Sequence, residues 1–359
     1  MKLFTPLEIK KALSQKAKSL TGFTKLSKHT ESHVGIDIGS YAIKTVVLSR
    51  EKDNLRIKSL EYEKVEDSGS KDGLIRAIKK TIERANIFDR KVNIAVTGPS
   101  VIIRFIELPH MSEDELKTAI PFEAEKYIPF NIEEVIIDHQ LLSPRLGEEN
   151  KMLVLLVAAK KDLINERLSL LGEVGLSVGV LDVTSCANFN AFLMGRERKK
   201  DQIVALVDIG AKATDISVID ENIFYFTRGV QLGGSDITKV LSDALSVDLN
   251  SAENIKLNPA DKMSEVSKII DPVLNNIIDE IRLSFSYYEN QSGKSIEKVY
   301  LTGGSSVVIN FCNMLKENLG IEVLSWDPTE DMEFDPSIDA RLITSIKNQL
   351  GVAIGLALR

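Results

Sequence analysis

Two segments of this chain set an aspartate beside a glycine turn: Val34-Gly-Ile-Asp-Ile-Gly-Ser-Tyr-Ala-Ile-Lys44 and Val204-Ala-Leu-Val-Asp-Ile-Gly-Ala-Lys-Ala-Thr-Asp215. Each reads as an apolar strand, a tip and a second apolar strand. Glycine lets backbone N–H groups approach an anion with no Cβ in the way. Gly39, Ser40 and Tyr41 can therefore cup one side of a polyphosphate, and Gly210 and Ala211 the other. Asp37 and Asp208, facing each other across a cleft, would hold Mg²⁺ through water, because magnesium keeps much of its hydration. Lys44 returns along the second strand and can set a compact positive charge on phosphate. A single Asp-Ile-Gly is simply a hairpin turn whose aspartate satisfies its own backbone. Two copies 171 positions apart in a chain of 359 residues, followed by Val299-Tyr-Leu-Thr-Gly-Gly304, point instead to duplicated halves around a nucleotide.

Apolar runs and breakers outline the elements that would position these tips. After the first hairpin come a strand over Leu55–Glu63, a helix over Asp72–Asn86 and a strand over Val92–Val96. Gly98 to Gly175 reads as a small domain. It opens on the alternating strand Val101–Leu108, and Ser112 with Glu115 forms a capping box for a helix. Pro121 and Pro129 bracket a short aromatic turn. Val135–Leu142 and Met152–Ala159 form a hairpin, and a helix over Lys161–Val174 closes the segment. The charged stretch Arg196–Asp201 reads as a hinge, and Gly233-Gly234 precede a helix through Leu245. Asp271-Pro272 reads as the start of a long helix with Val273, Ile277, Ile281, Phe285 and Tyr288 on its apolar face. The acidic run Asp327–Asp339 reads as solvated loop, and the final helix is expected to pack closely through Gly351 and Gly355.

Composition narrows the classes. The chain is 43% hydrophobic and 27% charged, as in ordinary globular proteins, and its length suits two lobes rather than one core. A net charge of −7 argues against a general nucleic-acid binder. Cys186 and Cys312 have no metal-like spacing and read as buried thiols of a reducing compartment. No apolar run is long enough to span a membrane, and the first residues lack the apolar core of a signal peptide. Residues 1–32 stand apart, with seven lysines against Glu8 as far as Lys28 and scattered apolar side chains. They form either a basic amphipathic segment for anionic lipid or a partner, or a solvated extension.

The order D37-I-G-S-x-x-x-K44, D208-I-G-x-x-x-T-D215, A252-E-N-I-K256 and L301-T-G-G304 resembles the actin-like ATPase superfamily. Pro121-Phe-Glu-Ala-Glu-Lys-Tyr-Ile-Pro-Phe130 and the ending Gly351-Val-Ala-Ile-Gly-Leu-Ala-Leu-Arg359 make the chain from about His33 onward most similar to the type IV pilus assembly family PilM, relatives of FtsA. The resemblance implies an α/β, two-lobe fold of duplicated ribonuclease-H-like domains with an FtsA-type small subdomain in the first lobe. By that likeness, residues 33–97 and 176–202, completed by 345–359, make the first large subdomain, and 98–175 the small inserted one. Residues 203–248 and 296–344 make the second large subdomain, and 249–295 its small companion. The implied cofactors are ATP and Mg²⁺. Asp37, Gly39, Ser40, Tyr41 and Lys44 would bind phosphate with Asp208, Gly210, Ala211, Lys212 and Thr214. Glu253 and Lys256 would hold ribose and base, Gly303, Gly304 and Ser305 the adenosine, and Gly233 and Gly234 are further cofactor-binding candidates.

In this superfamily a polar side chain near the crossover helix orients the attacking water. Here that region is Val180–Asn190, where Asp182, Asn188 and Asn190 are the candidates, with Asp208 beside them as a candidate catalytic group. The second phosphate loop departs from the common D-x-G-G-G-T, since Ala211 and Lys212 stand where glycines are usual. Tight ATP binding with slow or no hydrolysis is therefore expected, with nucleotide setting lobe conformation. The family further implies that a groove beside the small domain takes the cytoplasmic N-terminal peptide of PilN. Ile103, Phe105, Phe122, Tyr127, Ile128 and Phe130 are the candidate contacts, some of them core. Pilus motor ATPases and the platform protein are further implied partners, and oligomer or ring formation stays open. The implied location is cytoplasmic, peripheral to the inner membrane. Two alternatives remain: a filament-forming relative of FtsA or MreB, against which counts the absence of a terminal linker and membrane helix after Arg359, and a small-molecule kinase of the same superfamily.

Overall fold

The computed structural model describes residues 32–51, 54–66, 70–88, 91–146, 150–194, 202–220 and 223–359. The expectations for the N-terminal basic segment and for the hinge at Arg196–Asp201 lie outside them. The chain divides into two compact units, one of Met1–Arg196, Glu330–Ala340 and Val352–Arg359, the other of Glu197–Thr329 and Arg341–Gly351.

The first unit opens with β1 (Ser32–Ile38), β2 (Ala42–Glu51), β3 (Asn54–Lys64), α1 (Lys71–Ala85) and β4 (Lys91–Val96). Helix α1 forms because Ser70 caps it, its hydroxyl accepting from Gly73 N at 3.0 Å, and Ala77, Ile78 and Ile82 bury one face. Asn86 ends it in the left-handed conformation, with φ of 52°. After the small domain come β8 (Ser177–Val183) and α4 (Thr184–Met194), and the unit is completed by β14 (Glu333–Phe334) and α10 (Gly351–Ala357). The sheet order is β14-β3-β2-β1-β4-β8, with β1, β2 and β3 antiparallel and β4 and β8 parallel to β1. A Cβ on Gly355 would overlap the carbonyl of Ala187 on α4, which is why the last helix lies so close. Gly351 is buried at the start of that helix.

The small domain contains β5 (Val101–Pro109), α2 (Glu113–Ala124), β6 (Val135–Leu146), β7 (Lys151–Lys160) and α3 (Lys161–Gly172). Its antiparallel sheet has the order β5-β7-β6, so β5 lies at an edge. The capping box is present: Glu115 N donates to Ser112 Oγ at 3.3 Å, and Ser112 N to Glu115 Oε2 at 2.7 Å. The aromatic turn needs correcting, because α2 runs through Pro121 to Ala124. Leu116, Ile120 and Ala124 bury the same helical face on both sides of the proline, and that packing offsets the one backbone bond proline removes.

The second unit holds β9 (Val204–Ile209), β10 (Thr214–Asp220), β11 (Ile223–Val230), α5 (Gly234–Leu245), α6 (Leu249–Leu257) and α7 (Met263–Ser292). These are followed by β12 (Lys298–Thr302), α8 (Phe311–Leu319), β13 (Glu322–Ser325) and α9 (Ala340–Ile346). Its sheet order, β11-β10-β9-β12-β13, repeats the order β3-β2-β1-β4-β8 with the same strand directions. The repeated tip is thus the visible part of a repeated sheet. Helix α7 starts eight residues before Asp271, not at it. Val266 and Ile270 extend the buried face of Leu274, Ile277 and Ile281 backward, so packing carries the helix through Pro272. The acidic run is also not all solvated. Glu333 and Phe334 pair with β3, where Arg56 Nη2 meets Glu333 Oε2 at 2.7 Å, and Asp327 accepts from Lys347 Nζ at 2.9 Å.

Candidate functional site

Each sheet presents its first hairpin tip as a separate glycine turn beside an aspartate. In the first unit the register places Asp37 opposite Lys44, and Lys44 Nζ lies 2.9 Å from Asp37 Oδ2. Both side chains are largely buried, so a carboxylate and an ammonium are presented together beside the Gly39–Tyr41 turn. A Cβ on Gly39 would stand 2.7 Å from the carbonyl of Ala42, so the turn closes this tightly only with glycine. Tyr41 is held through its carbonyl, which accepts from Val65 N at 2.8 Å, and Lys64 Nζ lies 5.4 Å from the centre of its ring. Lys64 is a second cation at this tip that the linear spacing does not suggest.

The second tip is braced by two neighbouring loops. Gly210 N donates to Ala213 O at 2.9 Å and closes the turn. Gly234 N reaches Gly210 O at 3.0 Å and Ser235 N reaches Ala211 O at 2.7 Å, so Gly233-Gly234 clamps the tip. A Cβ on Gly233 would lie 2.7 Å from Ala211 O, and one on Gly234 would overlap Ser305 Oγ. Ser305 itself donates to Gly210 O at 3.2 Å. Gly303, at φ of 93°, packs so closely on Asp208 and Ile209 that no side chain fits. Gly304 lies against Gln349, and Lys212 is exposed at the tip. Thr214 is turned inward, its hydroxyl donating to Leu232 O at 2.8 Å, so it braces the hairpin.

Beneath this loop Lys256 is buried. Its Nζ lies 2.6 Å from Glu253 Oε2, 3.0 Å from Thr238 Oγ1 and 3.1 Å from Gly234 O. Burial pulls its pKa down and Glu253 opposes that shift. All three ammonium donors are engaged within the protein, so the Ala-Glu-x-x-Lys helix braces the start of α5. Ribose and base were the expected partners of this lysine.

Asp215 was not among the candidate ligands, yet it is the cross-strand neighbour of Asp208. Burial, and then the charge of Asp208, push its pKa up to about 7. The signal was legible: in a tight hairpin, the second aspartate of D-I-G-x-x-x-T-D must return opposite the first. The folded state therefore binds a proton that the unfolded chain releases near 3.8. The stabilisation is full below that value and is lost as pH rises through about 7. Unfolding free energies measured across this window should fall with rising pH, and Asp215→Asn should flatten the fall. An unchanged slope in the variant would contradict the assignment.

The crossover region is occupied differently from expectation. Asp182 is 0% exposed, its Oδ2 held by Arg359 Nε at 2.7 Å and its Oδ1 by Val183 N at 2.8 Å. Both of its oxygens are thus engaged within the protein, one of them by Arg359. Asn188 and Asn190 are buried along α4. Burial pushes the Cys186 thiol up, with Asp182 adding to the effect, so this cysteine is unreactive packing.

The six candidate peptide contacts divide. Ile128 belongs to the small domain's core and Phe130 packs against it, with Lys160 Nζ 4.3 Å from the centre of the Phe130 ring. Ile103 and Phe105 lie half-buried on the opposite face of the sheet, paired with Val157 and Leu155. Phe122 is 69% exposed on α2, and Tyr127 is exposed just beyond it.

Residues 35–359 match the profile of the family described as type IV pilus assembly protein PilM. The chain belongs to the PilM family. A solved structure titled "PilM-PilN type IV pilus biogenesis complex" is 28% identical, with a TM-score of 0.82 over 92% of this chain and 99% of that one. The ethanolamine utilization protein EutJ of Carboxydothermus hydrogenoformans is 16% identical over 98% of both chains, with a TM-score of 0.55, and shares the fold. Among curated relatives, cell division protein FtsA of Enterococcus hirae is 22% identical over 84% of this chain and 79% of its own length. FtsA of Enterococcus faecalis is 26% identical over 66% of this chain, which spans 60% of that protein. This PilM-family chain thus carries the actin-like ATPase fold, and its two glycine-tipped sheets repeat one strand order within it.

Proposed function

We propose that this chain is an ATP-binding scaffold of the type IV pilus assembly platform, which holds the cytoplasmic N-terminal peptide of a PilN-type protein. The likeness to the PilM-PilN complex over nearly the whole of both chains carries this reading. Residues 98–175 act as the peptide-binding subdomain, and the groove lies between it and the first large subdomain. Among the described residues no helix is long and apolar enough to cross a membrane, so attachment to the inner membrane runs through the partner.

The residues present fit a magnesium nucleotide. Gly39 and Gly210 close turns that a Cβ would disturb, and Asp208 and Asp215 set two carboxyl groups side by side, from which a divalent cation would displace the proton Asp215 holds. Asp37 and Asp208 hold the cation through water, and Lys44 and Lys212 balance phosphate charge. Bound nucleotide supplies the free energy that sets lobe conformation. With Asp182 committed to Arg359, hydrolysis is slow.

Phe105 and Ile103 would take apolar side chains of the peptide, because they lie half-buried on the sheet face away from the α2 core. Phe105→Ala is expected to weaken binding of a labelled PilN N-terminal peptide about tenfold, the effect of a typical interface anchor, with a small change in melting temperature. Unchanged affinity would remove this face from the binding site. Phe130, by contrast, packs on the core, and its truncation should be felt mainly in stability. Pelleting with ATP separates this reading from an FtsA-like filament former.

A further inference from the structure

The face of the small sheet that carries Ile103 and Phe105 is not wholly apolar. In register across the strands, Ile103 of β5 meets Val157 of β7, which meets Asp138 of β6; the next row is Phe105, Leu155 and Gln140. Cross-strand partners project to the same face, so Asp138 stands on the candidate peptide face. Val157 and Leu155 between them are buried. His139, one residue on, belongs to the other face.

Asp138 is incompletely satisfied. Its Oδ1 accepts from the backbone N–H of His139 at 2.9 Å. Strand β6 is an edge of this sheet, so a side chain covers an amide that no neighbouring strand takes. Its Oδ2 is shielded from solvent and has no hydrogen-bond partner. Among the described residues no ion pair reaches it. A shielded carboxylate oxygen without a donor is costly, and the cost is recovered only when a donor arrives. The raised pKa of Asp138, caused first by burial, reflects the same deficit.

We infer that Asp138 is the charged anchor of the peptide site, and that it reads a lysine or arginine on a peptide whose neighbouring residues are apolar. The inference rests on the peptide reading above. The apolar position at Ile103 and the carboxylate lie two strand spacings apart, about 10 Å; side chains two positions apart on an extended peptide share a face about 7 Å apart, and the long stem of a lysine or arginine covers the remainder. The partner segment therefore has an apolar side chain and a basic one two positions apart. A cation there is specified rather than merely tolerated, because a neutral apolar residue would leave Oδ2 unpaired.

The test is a fluorescence-anisotropy titration of a labelled PilN N-terminal peptide into wild-type protein and Asp138→Asn. It is repeated with peptides in which each basic residue in turn is norleucine. We expect Asp138→Asn to weaken binding tenfold or more. One norleucine peptide should bind wild type equally weakly and lose nothing further in the variant. Equal affinity of wild type and variant, or full affinity of every norleucine peptide for wild type, overturns the anchor and leaves the peptide site standing. No binding of the native peptide to wild type overturns both. The norleucine arm uses unaltered protein, so the outcome does not depend on how the variant folds.

Discussion

Arg359→Ala is expected to cost about 3–5 kcal/mol of stability in the unit that contains Asp182, the loss typical of a buried ion pair stripped of one partner. The pair spans 177 positions, and both side chains are sealed, at 2% and 0% exposure. Their mutual attraction does little more than repay the desolvation of two charges. Removing the guanidinium, however, strands a carboxylate against α4 and β8 with no water to replace it. Asp182→Asn should be milder, because the amide keeps the shape and can still accept from Val183 N. Calorimetric unfolding of the two variants checks this. A loss below 1 kcal/mol for Arg359→Ala would show that water reaches Asp182 and that the last residue is not an anchor.

Asp208→Asn should lower Mg-ATP affinity roughly 10–100-fold, the usual effect of losing a group that holds a metal's outer shell. Nucleotide affinity in the presence of EDTA should be nearly unchanged, since the lost interaction is with the cation. Stability at neutral pH should not fall. Asp208 is the charge that, after burial, holds Asp215 protonated, and removing it lets Asp215 ionise at lower cost. Weaker binding with equal or higher stability is the signature of a site under electrostatic strain. Equal Mg-ATP affinity in wild type and variant would contradict the assignment of Asp208 to the cation.

The tips were legible because each combines two local signals, a period-two apolar pattern and a glycine where a turn must close. Glycine at 39 and 210 and aspartate at 37 and 208 needed nothing from the rest of the chain. The long helix shows how local signals mislead. Asp271-Pro272 has the chemistry of a helix start, but Val266 and Ile270 place earlier turns on the same buried face, and packing overrode the cap. Pro121 misled in the same way. Other residues took their roles from contacts distant in sequence. Thr214 and Lys256 carry ligand-like motifs, yet one turns to Leu232 and the other to Glu253, Thr238 and Gly234. Asp138 could not be singled out from sequence, because its importance lies in the register that sets it beside Val157 and Ile103.

The account's central claim joins two sites, a nucleotide site and a peptide face, in one scaffold. It is tested most directly by titrating a labelled PilN N-terminal peptide into the purified chain with and without Mg-ATP. The account predicts saturable binding whose affinity changes when Mg-ATP is present. Absence of binding in both conditions would contradict it.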